Sequence, residues 1–293
     1  MVRRMILAMV VFAGMLSWPG AAPALSGPTE GTLIEVYPGP DALTKALASA
    51  NSGDVLNIHA GVYPEHVTID TSNLTLRAAG DGEVTVDGTC STPITVDVRA
   101  DGTTIRGLRV VGASENSPIE INFSHVATGR VVKSKVEDTC GNAEYGVNVS
   151  FSHTIQVVGN TATGFGDAGF YIGAITSTQR GPLVIQGNKS YGNVRGIIVE
   201  NSSGGRILVI GNDVHDNQRT GIWITNSDRV RLRSNLVQDN GYSGIELDSL
   251  SDRNRIRGNT ASGHTYDLAN DAGNTGNCWV ANDYTTSLGN IDC

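Results

Sequence analysis

The sequence lacks an excess of basic charge, a metal-ligand motif and sustained helical periodicity. Its formal net charge of −8 disfavours nucleic acid as a partner. The four cysteines contain no C-x-x-C pair, and no two of the six histidines have metal-ligand spacing, so a zinc site is not expected. Outside residues 40–50 no stretch repeats with a period of 3.6, which excludes a leucine-rich repeat with its helical segments.

The long apolar run of the chain lies at its N-terminus. Arg3 and Arg4 precede an apolar stretch from Met5 to Trp18, and Ala22-Pro23-Ala24 follows as a small-residue cleavage site. This order is typical of a secretory signal peptide, and the run is too short for a membrane span. We therefore expect residues 1–24 to be a signal peptide cleaved near Ala24, and a secreted, extracellular protein without a membrane span.

A ladder of asparagines recurs along the chain with gaps of 28, 24, 23 and 24 residues. After most of them, eight or nine residues on, a glycine opens an apolar run. A fixed period of about two dozen residues is the signature of a solenoid. The ladder consists of Asn160, Asn188, Asn212, Asn235 and Asn259, and the glycines are Gly169, Gly196, Gly221 and Gly244.

Both apolar runs of each repeat alternate with period two, as Ile207 and Val209 do before the asparagine and Ile222 and Ile224 after the glycine. Such runs are short strands with one buried face. Two or three strands per coil, with Asn and Gly at the corners, predict an all-β, single-stranded parallel β-helix of about nine coils. Stacked asparagine side chains can hydrogen-bond from coil to coil.

The chain ends depart from the repeat. Residues 25–52 form an N-terminal segment with a capping helix, which should cover the open end of the core and begin near Asp41. The coils occupy residues 53–270, and residues 271–293 form a C-terminal cap. An exported chain with four cysteines predicts two disulfides. Cys278 and Cys293 bracket the cap and should pair locally, which leaves Cys90 with Cys140 by elimination.

Three segments resemble the secreted right-handed parallel β-helix superfamily, which includes pectate lyases, polygalacturonases, alginate C5-epimerases and NosD-like periplasmic proteins. They are residues 53–69 (GDVLNIHAGVYPEHVTI), 166–173 (GDAGFYIG) and 192–203 (GNVRGIIVENSS). The resemblance implies a right-handed helix. The epimerase motif Y-G-F-D-P-H matches here only in Tyr145 and Gly146, because Asn148 and Ser150 replace its Asp and His.

The strands after the glycines should present two outward columns, since their Ile and Val residues point inward. In the superfamily this sheet carries the groove in which glycans lie. Aromatic rings stack on sugars, and carboxylates serve as acid, base or calcium ligand. The first column contains Asn148, Tyr171, Ile198, Trp223 and Glu246, and the second contains Ser150, Gly173, Glu200, Thr225 and Asp248.

These columns predict a protein that acts on an extracellular, possibly uronic-acid, polysaccharide as a lyase, epimerase or hydrolase. Calcium is the one candidate cofactor, and we expect a monomer. The alternative is a non-catalytic glycan-binding or cell-surface structural module. The candidate catalytic residues are Glu200, Glu246, Asp248 and Tyr171, and the candidate substrate-binding residues are Trp223, Asn148, Arg195 and Arg219.

Four further arginines should point outward from a second sheet as a two-by-two grid. Two alternatives remain open for them. The grid binds a sulfate, phosphate or uronate group, or its members pair with aspartates near by. The arginines are Arg231, Arg233, Arg255 and Arg257, and the aspartates are Asp228, Asp239 and Asp252.

Overall fold

The computed structural model describes residues 31–176, 181–204 and 206–293. The predicted signal peptide lies outside these residues. The described chain forms nine complete coils of three strands, with a partial coil at each end, and every strand pairs in parallel with its equivalent in the next coil. The predicted all-β parallel β-helix is confirmed.

Equivalent strands stack into three parallel sheets, named A, B and C in the order in which each coil meets them. Sheet A contains β1 (Leu33–Val36), β2 (Val55–Ile58), β5 (Thr75–Ala78), β8 (Thr103–Arg106), β11 (Thr128–Val132), β14 (Thr154–Val158), β17 (Leu183–Gln186), β20 (Ile207–Ile210), β23 (Arg231–Arg233), β26 (Arg255–Arg257) and β29 (Cys278–Val280). Sheet B contains β3 (Gly61–Tyr63), β6 (Val84–Thr92), β9 (Arg109–Ala113), β12 (Lys135–Glu137), β15 (Thr161–Thr163), β18 (Lys189–Tyr191), β21 (Asp213–His215), β24 (Leu236–Gln238) and β27 (Thr260–Ser262). Sheet C contains β4 (Val67–Ile69), β7 (Ile94–Val98), β10 (Ile119–Ser124), β13 (Tyr145–Ser150), β16 (Ala168–Gly173), β19 (Arg195–Glu200), β22 (Ile222–Thr225), β25 (Ser243–Leu247), β28 (Tyr266–Asn270) and β30 (Ser287–Leu288).

The core is a column of aliphatic side chains inside the coils. In β22 the side chains of Ile222 and Ile224 are fully buried, whereas Trp223 between them points outward and is half-buried. Ile222 pairs in register with Ile197 on one side and Ile245 on the other. Each rung therefore buries its apolar residues against the same residues of the next rung, which explains why the period-two pattern predicted the strands.

The predicted asparagine ladder is present and links the coils between sheets A and B. The Asn212 side chain donates from Nδ2 to the backbone oxygen of Ile185 and to Oδ1 of Asn235. Its own Oδ1 accepts from the backbone N–H and the Nδ2 of Asn188. Asn212 is 1 % exposed, so these bonds satisfy polar groups that water cannot reach.

The ladder is longer than the sequence analysis found. Asn282 accepts from the backbone N–H and the Nδ2 of Asn259, and so carries the ladder into the predicted C-terminal cap. A second ladder of Asn193, Asn217 and Asn240 ends at His264, whose Nε2 lies 3.0 Å from Nδ2 of Asn240. The cap keeps the register of the repeat, because Asn282 follows Asn259 after 23 residues, as Asn235 follows Asn212.

The glycine column lies at the corner between sheets B and C, where the coils leave no room for a side chain. A Cβ on Gly221 would lie 2.5 Å from Val237 Cγ1 and 2.8 Å from the Gly244 backbone oxygen. Glu120 takes the corresponding place in β10, and its fully buried carboxylate accepts from Thr95 Oγ1 and the Ala113 N–H. Burial, with only these two donors to offset it, raises the pKa of Glu120 to about 7.

This buried carboxyl predicts a pH-dependent stability. Because the folded pKa lies above the unfolded value, the folded state retains a proton that the unfolded state has lost, and stability falls as the pH rises from about 4.5 to about 7. The effect of this group amounts to about 3 kcal/mol. We expect the Glu120→Gln variant to lack this fall in the free energy of unfolding when urea unfolding is measured at pH 5 and at pH 8. An unchanged difference between the two pH values in the variant would contradict the assignment.

The N-terminal end of the core is covered by α1 (Ala42–Ser49), which packs Leu43 and Ala46 into the core cluster. The helix begins directly after Asp41, but Asp41 has a left-handed backbone and makes no side-chain cap bond. Glu65 takes that role instead, since its carboxylate accepts the N–H groups of Leu43 and Thr44. This helix is too short to cross a membrane, and the described residues contain no other candidate span.

Both predicted disulfides are present. Cys90 bonds to Cys140 and Cys278 bonds to Cys293, with sequence separations of 50 and 15 residues. The first links β6 of sheet B to the segment that follows β12, two coils further along. The second ties the C-terminus to β29, which continues sheet A beyond the last complete coil.

Candidate functional site

The outward face of sheet C carries the predicted columns in register. Tyr171 pairs with Ile198, Ile198 with Trp223, and Trp223 with Glu246. Ile198 is nevertheless only 1 % exposed and is absent from the central core. Its neighbours in the column are the larger residues Tyr171 and Trp223, and this buried aliphatic residue divides the face into two parts.

On the N-terminal side of Ile198, Tyr171 and Glu200 form a pair. The Tyr171 hydroxyl donates to the Glu200 carboxylate over 2.7 Å. Gly173 makes this bond geometrically possible, because a Cβ at that position would lie 2.4 Å from Cε1 of Tyr171. The tyrosine ring therefore lies over the glycine to reach the next coil. One carboxylate oxygen of Glu200 is used in accepting the tyrosine hydrogen bond.

The environment of Tyr171 makes it a poor proton donor to a reaction. Burial, and then its hydrogen bond to Glu200, raise the pKa of Tyr171 well above its ordinary value. Its ring packs at 4.5 Å between centroids against Tyr145, whose hydroxyl donates to Asp167 over 3.3 Å. Burial, with Asp167 near by, also raises the pKa of Tyr145. Neither Tyr145 nor Asp167 is among the residues that the sequence predicted to bind a substrate.

On the C-terminal side of Ile198, Arg195 is fixed between two partners. Its guanidinium forms a salt bridge with Asp167 and lies over the Trp223 ring, 4.6 Å from the centroid. The ring face that contacts Arg195 is therefore closed to a sugar. The indole Nε1 of Trp223 is buried and has no hydrogen-bond partner among the described residues. Trp223 thus presents a charged, flat surface rather than the bare ring that the sequence predicted.

These residues line a pocket of about 460 Å³, which we call the Trp223 pocket. Glu246 accepts from Thr220 Oγ1 over 3.0 Å. Arg219 is exposed and forms no salt bridge within the described part of the chain. The pocket thus combines two cations, one carboxylate and two aromatic rings, and Tyr242 and Gln218 are lining residues that sequence reasoning missed. Its lining consists of Arg195, Gln218, Arg219, Thr220, Trp223, Tyr242 and Glu246.

Asp248 holds a turn rather than facing the pocket. Its carboxylate accepts from Thr225 Oγ1, from Ser251 Oγ and from the N–H groups of Asn226 and Leu250. Four donors satisfy both oxygens, so the side chain closes the corner after β25. Sequence reasoning placed Asp248 near Glu246, two residues further along the chain. It could not reveal that residues of the turn already hydrogen-bond to the Asp248 carboxylate.

Asn148 lies in a polar ladder of its own. It donates to Asn122 Oδ1 over 2.6 Å, and Asn122 donates to Asp97 Oδ1 over 2.8 Å. Asn148 is 6 % exposed, so the ladder forms the floor of the face. A cavity of about 720 Å³ lies further along, between α1 and β4, and includes His66, Thr68 and Asp70 in its wall. The described residues contain no group of three or more His, Cys, Asp or Glu placed to hold a metal ion.

Comparisons with known proteins place this geometry in context. The family model described as periplasmic copper-binding protein (NosD) matches residues 81–291. A search of curated proteins found no match.

Several solved structures share the fold. Pectate lyase Pel9A superimposes with a TM-score of 0.58 at 12 % identity, over 90 % of this chain and 78 % of that chain. The A-module of the Azotobacter vinelandii mannuronan C-5 epimerase AlgE4 gives 0.53 at 18 % identity, over 89 % and 90 % of the two chains. The Dettilon tailspike protein (gp208) gives 0.52 at 16 % identity, over 88 % and 60 %. At these identities the similarity shows the right-handed parallel β-helix fold alone.

Proposed function

We propose that this chain, which belongs to the NosD family of periplasmic copper-binding proteins, is exported. We further propose that it binds an anionic polysaccharide in the Trp223 pocket. The stack of Arg195 on Trp223 beside the unpaired Arg219 carries this proposal. Two fixed disulfides are consistent with an oxidising compartment, and so support export.

The charges of the pocket favour a uronate unit. Arg195 is held by Asp167 and by the indole, so its guanidinium is oriented before a ligand arrives. Arg219 supplies a second fork that can bind a carboxylate through two parallel hydrogen bonds. Tyr242 is 47 % exposed. Its ring, unlike that of Trp223, offers a free face on which a sugar can stack. Two proteins that share the fold are named as a pectate lyase and a mannuronan epimerase, and these names support a glycan as the ligand.

Copper does not fit the described residues. Copper sites in proteins are built from thiolate, thioether and imidazole ligands. All four cysteines are in disulfides, and the four methionines fall within the first 15 residues, outside the described part of the chain. With no clustered metal ligands among the described residues either, we derive no step that involves copper.

Catalysis by a lyase or epimerase mechanism is the second candidate, and Glu246 favours it. A carboxylate that lines the same pocket as two arginines can remove a proton from a uronate whose own carboxylate those arginines neutralise. Glu246 would then be the base, with Tyr171 and Glu200 placed beyond Ile198 as a positioning pair. Asp248 and Glu200 both accept hydrogen bonds from other side chains, and Glu246 is the one carboxylate that lines the pocket. We therefore favour binding without turnover.

Isothermal titration with oligomannuronate, oligogalacturonate and a neutral oligosaccharide tests the proposal. We expect binding of a uronate oligomer and none of the neutral one. Arg219→Gln should weaken binding by about 10- to 100-fold, since it removes a charge-assisted hydrogen bond. Arg229→Gln, an exposed arginine outside the pocket, is the matched control and should leave binding unchanged.

Two further variants test the pocket, and the second of them separates the candidate functions. Trp223→Phe keeps a ring beneath Arg195 and removes the buried, unpartnered N–H, so folding and binding should both persist. Glu246→Gln should bind as the unsubstituted protein does if the protein is a binding module. If instead the protein releases an unsaturated product that absorbs in the ultraviolet, and Glu246→Gln stops this, the enzyme is the correct reading. Equal affinity for neutral and uronate chains would contradict both.

A further inference from the structure

The outward face of sheet A, which we call the sheet A face, carries a charge opposite to that of the whole protein. The predicted arginine grid is present, because Arg231 pairs in register with Arg255, and Arg233 with Arg257. All four side chains are exposed. Towards the N-terminus, Arg77, Arg106 and Arg130 extend the same face and are exposed as well.

The four grid arginines do not pair with carboxylates in the described part of the chain. Asp228, one of the expected partners, forms a salt bridge with Arg253. Asp252, another, accepts the backbone N–H of Thr275 over 2.6 Å. Among the outward residues of the sheet A strands the one carboxylate is Glu35, at the far end, where it contacts Asn57 and His59. Pairing with carboxylates of the described residues therefore does not account for the grid.

Such a grid does not stabilise the fold. Equivalent residues on neighbouring strands are about 4.8 Å apart at the backbone, and like charges placed directly opposite each other destabilise a sheet. The arginines instead surround a cleft of about 220 Å³. This arrangement is explained by an anionic ligand outside the chain, because bound anions remove the repulsion.

The rest of the face indicates which anion. Between the two groups of arginines the outward residues are uncharged. They include the partly exposed aliphatic residues Val158, Val184, Leu208 and Ile210, and the polar residues Thr154, Gln156 and Gln186. The outward positions of the eleven strands include no aromatic side chain. A polysaccharide site would be expected to offer a ring for stacking, as the Trp223 pocket does. Cations beside aliphatic residues instead match a surface in which phosphates lie above hydrocarbon.

We propose that the sheet A face docks on the surface of an anionic phospholipid bilayer. The eleven paired strands extend for about 48 Å at the strand spacing of a sheet, so the face presents one extended surface to a planar partner. Arginine guanidinium groups bind lipid phosphates through paired hydrogen bonds, while their aliphatic stems and the central Leu and Val residues contact the interface. The acidic remainder of the protein faces away from the bilayer.

Docking in this manner leaves the Trp223 pocket open. Sheets A and C are different sides of the coil, so the sheet C face is directed away from the plane that sheet A contacts. The proposal does not depend on glycan binding, because it uses none of the residues that line that pocket.

Sedimentation with lipid vesicles tests the proposal. We expect the purified chain to sediment with vesicles that contain phosphatidylglycerol, but not with vesicles of phosphatidylcholine alone, and to be released at high ionic strength. Replacing the four grid arginines by glutamine should weaken the partition by about 100- to 1000-fold. The two double variants, Arg231→Gln/Arg255→Gln and Arg233→Gln/Arg257→Gln, should each give an intermediate loss and guard against misfolding of the quadruple variant.

A matched control removes the same charge elsewhere. The four lysines Lys45, Lys133, Lys135 and Lys189 lie on α1, at a corner and on sheet B, and their replacement by glutamine should leave vesicle binding nearly unchanged. An equal loss in both quadruple variants would show a general charge effect and overturn the proposal. So would the absence of sedimentation with anionic vesicles. Binding of a soluble sulfated polysaccharide through the grid, without vesicle binding, would assign the face to a polyanion instead.

Discussion

Replacing Asn212 by alanine should destabilise the protein by about 3–5 kcal/mol, because each buried polar group left without a partner costs about 1–3 kcal/mol. The substitution removes four hydrogen bonds that join three coils, and leaves the Asn188 N–H and the Ile185 carbonyl unsatisfied. Urea unfolding followed by circular dichroism measures the loss.

The control is an asparagine outside the ladders. Asn142 is exposed and donates one bond, to Ser114 Oγ over 3.2 Å. Asn142→Ala should change the stability by less than about 0.5 kcal/mol, as is usual for surface substitutions. If the two variants had equal stability, the ladder would be a consequence of the fold and not one of its supports.

Removing the Cys90–Cys140 disulfide is the second change with a large expected effect. It closes a loop with a sequence separation of 50 residues, and the double variant Cys90→Ser/Cys140→Ser should lose about 4 kcal/mol through the greater entropy of the unfolded chain. The Cys278–Cys293 bridge closes a separation of 15 residues, so its removal should cost about 3 kcal/mol.

The comparison of the two pairs is the informative measurement. Both double variants are unfolded in urea beside the intact protein, with the reduced protein as a common reference. The loop-entropy explanation predicts that the first pair contributes more than the second. A larger loss from the Cys278→Ser/Cys293→Ser variant would instead show that the bridge at β29 acts mainly by holding the C-terminal end in place.

The fold was predictable because its main signal repeats. From Asn160 onwards a residue with the same role recurs at each coil, so the period identified the strands, the ladder and the outward columns without any long-range information. The ends of the chain were less predictable, because capping roles are filled by residues distant in sequence. Glu65 caps α1 from a position 22 residues beyond Leu43, and nothing around Asp41 indicates this.

The site was predictable in its register but not in its contacts. The columns correctly placed Trp223 next to Glu246. They could not show that Arg195 covers the Trp223 ring, because that contact depends on Asp167 in the preceding coil. Nor could they show that the turn after β25 donates hydrogen bonds to the Asp248 carboxylate. Tyr242 was missed since it lies in a loop outside the alternating pattern.

The most direct test is a crystal structure of the protein with a bound uronate oligomer. The account predicts a sugar unit in the Trp223 pocket, with its carboxylate within hydrogen-bond distance of Arg219 or Arg195 and its ring against Tyr242. An oligomer bound at another face of the coil, with the Trp223 pocket empty of sugar, would contradict it.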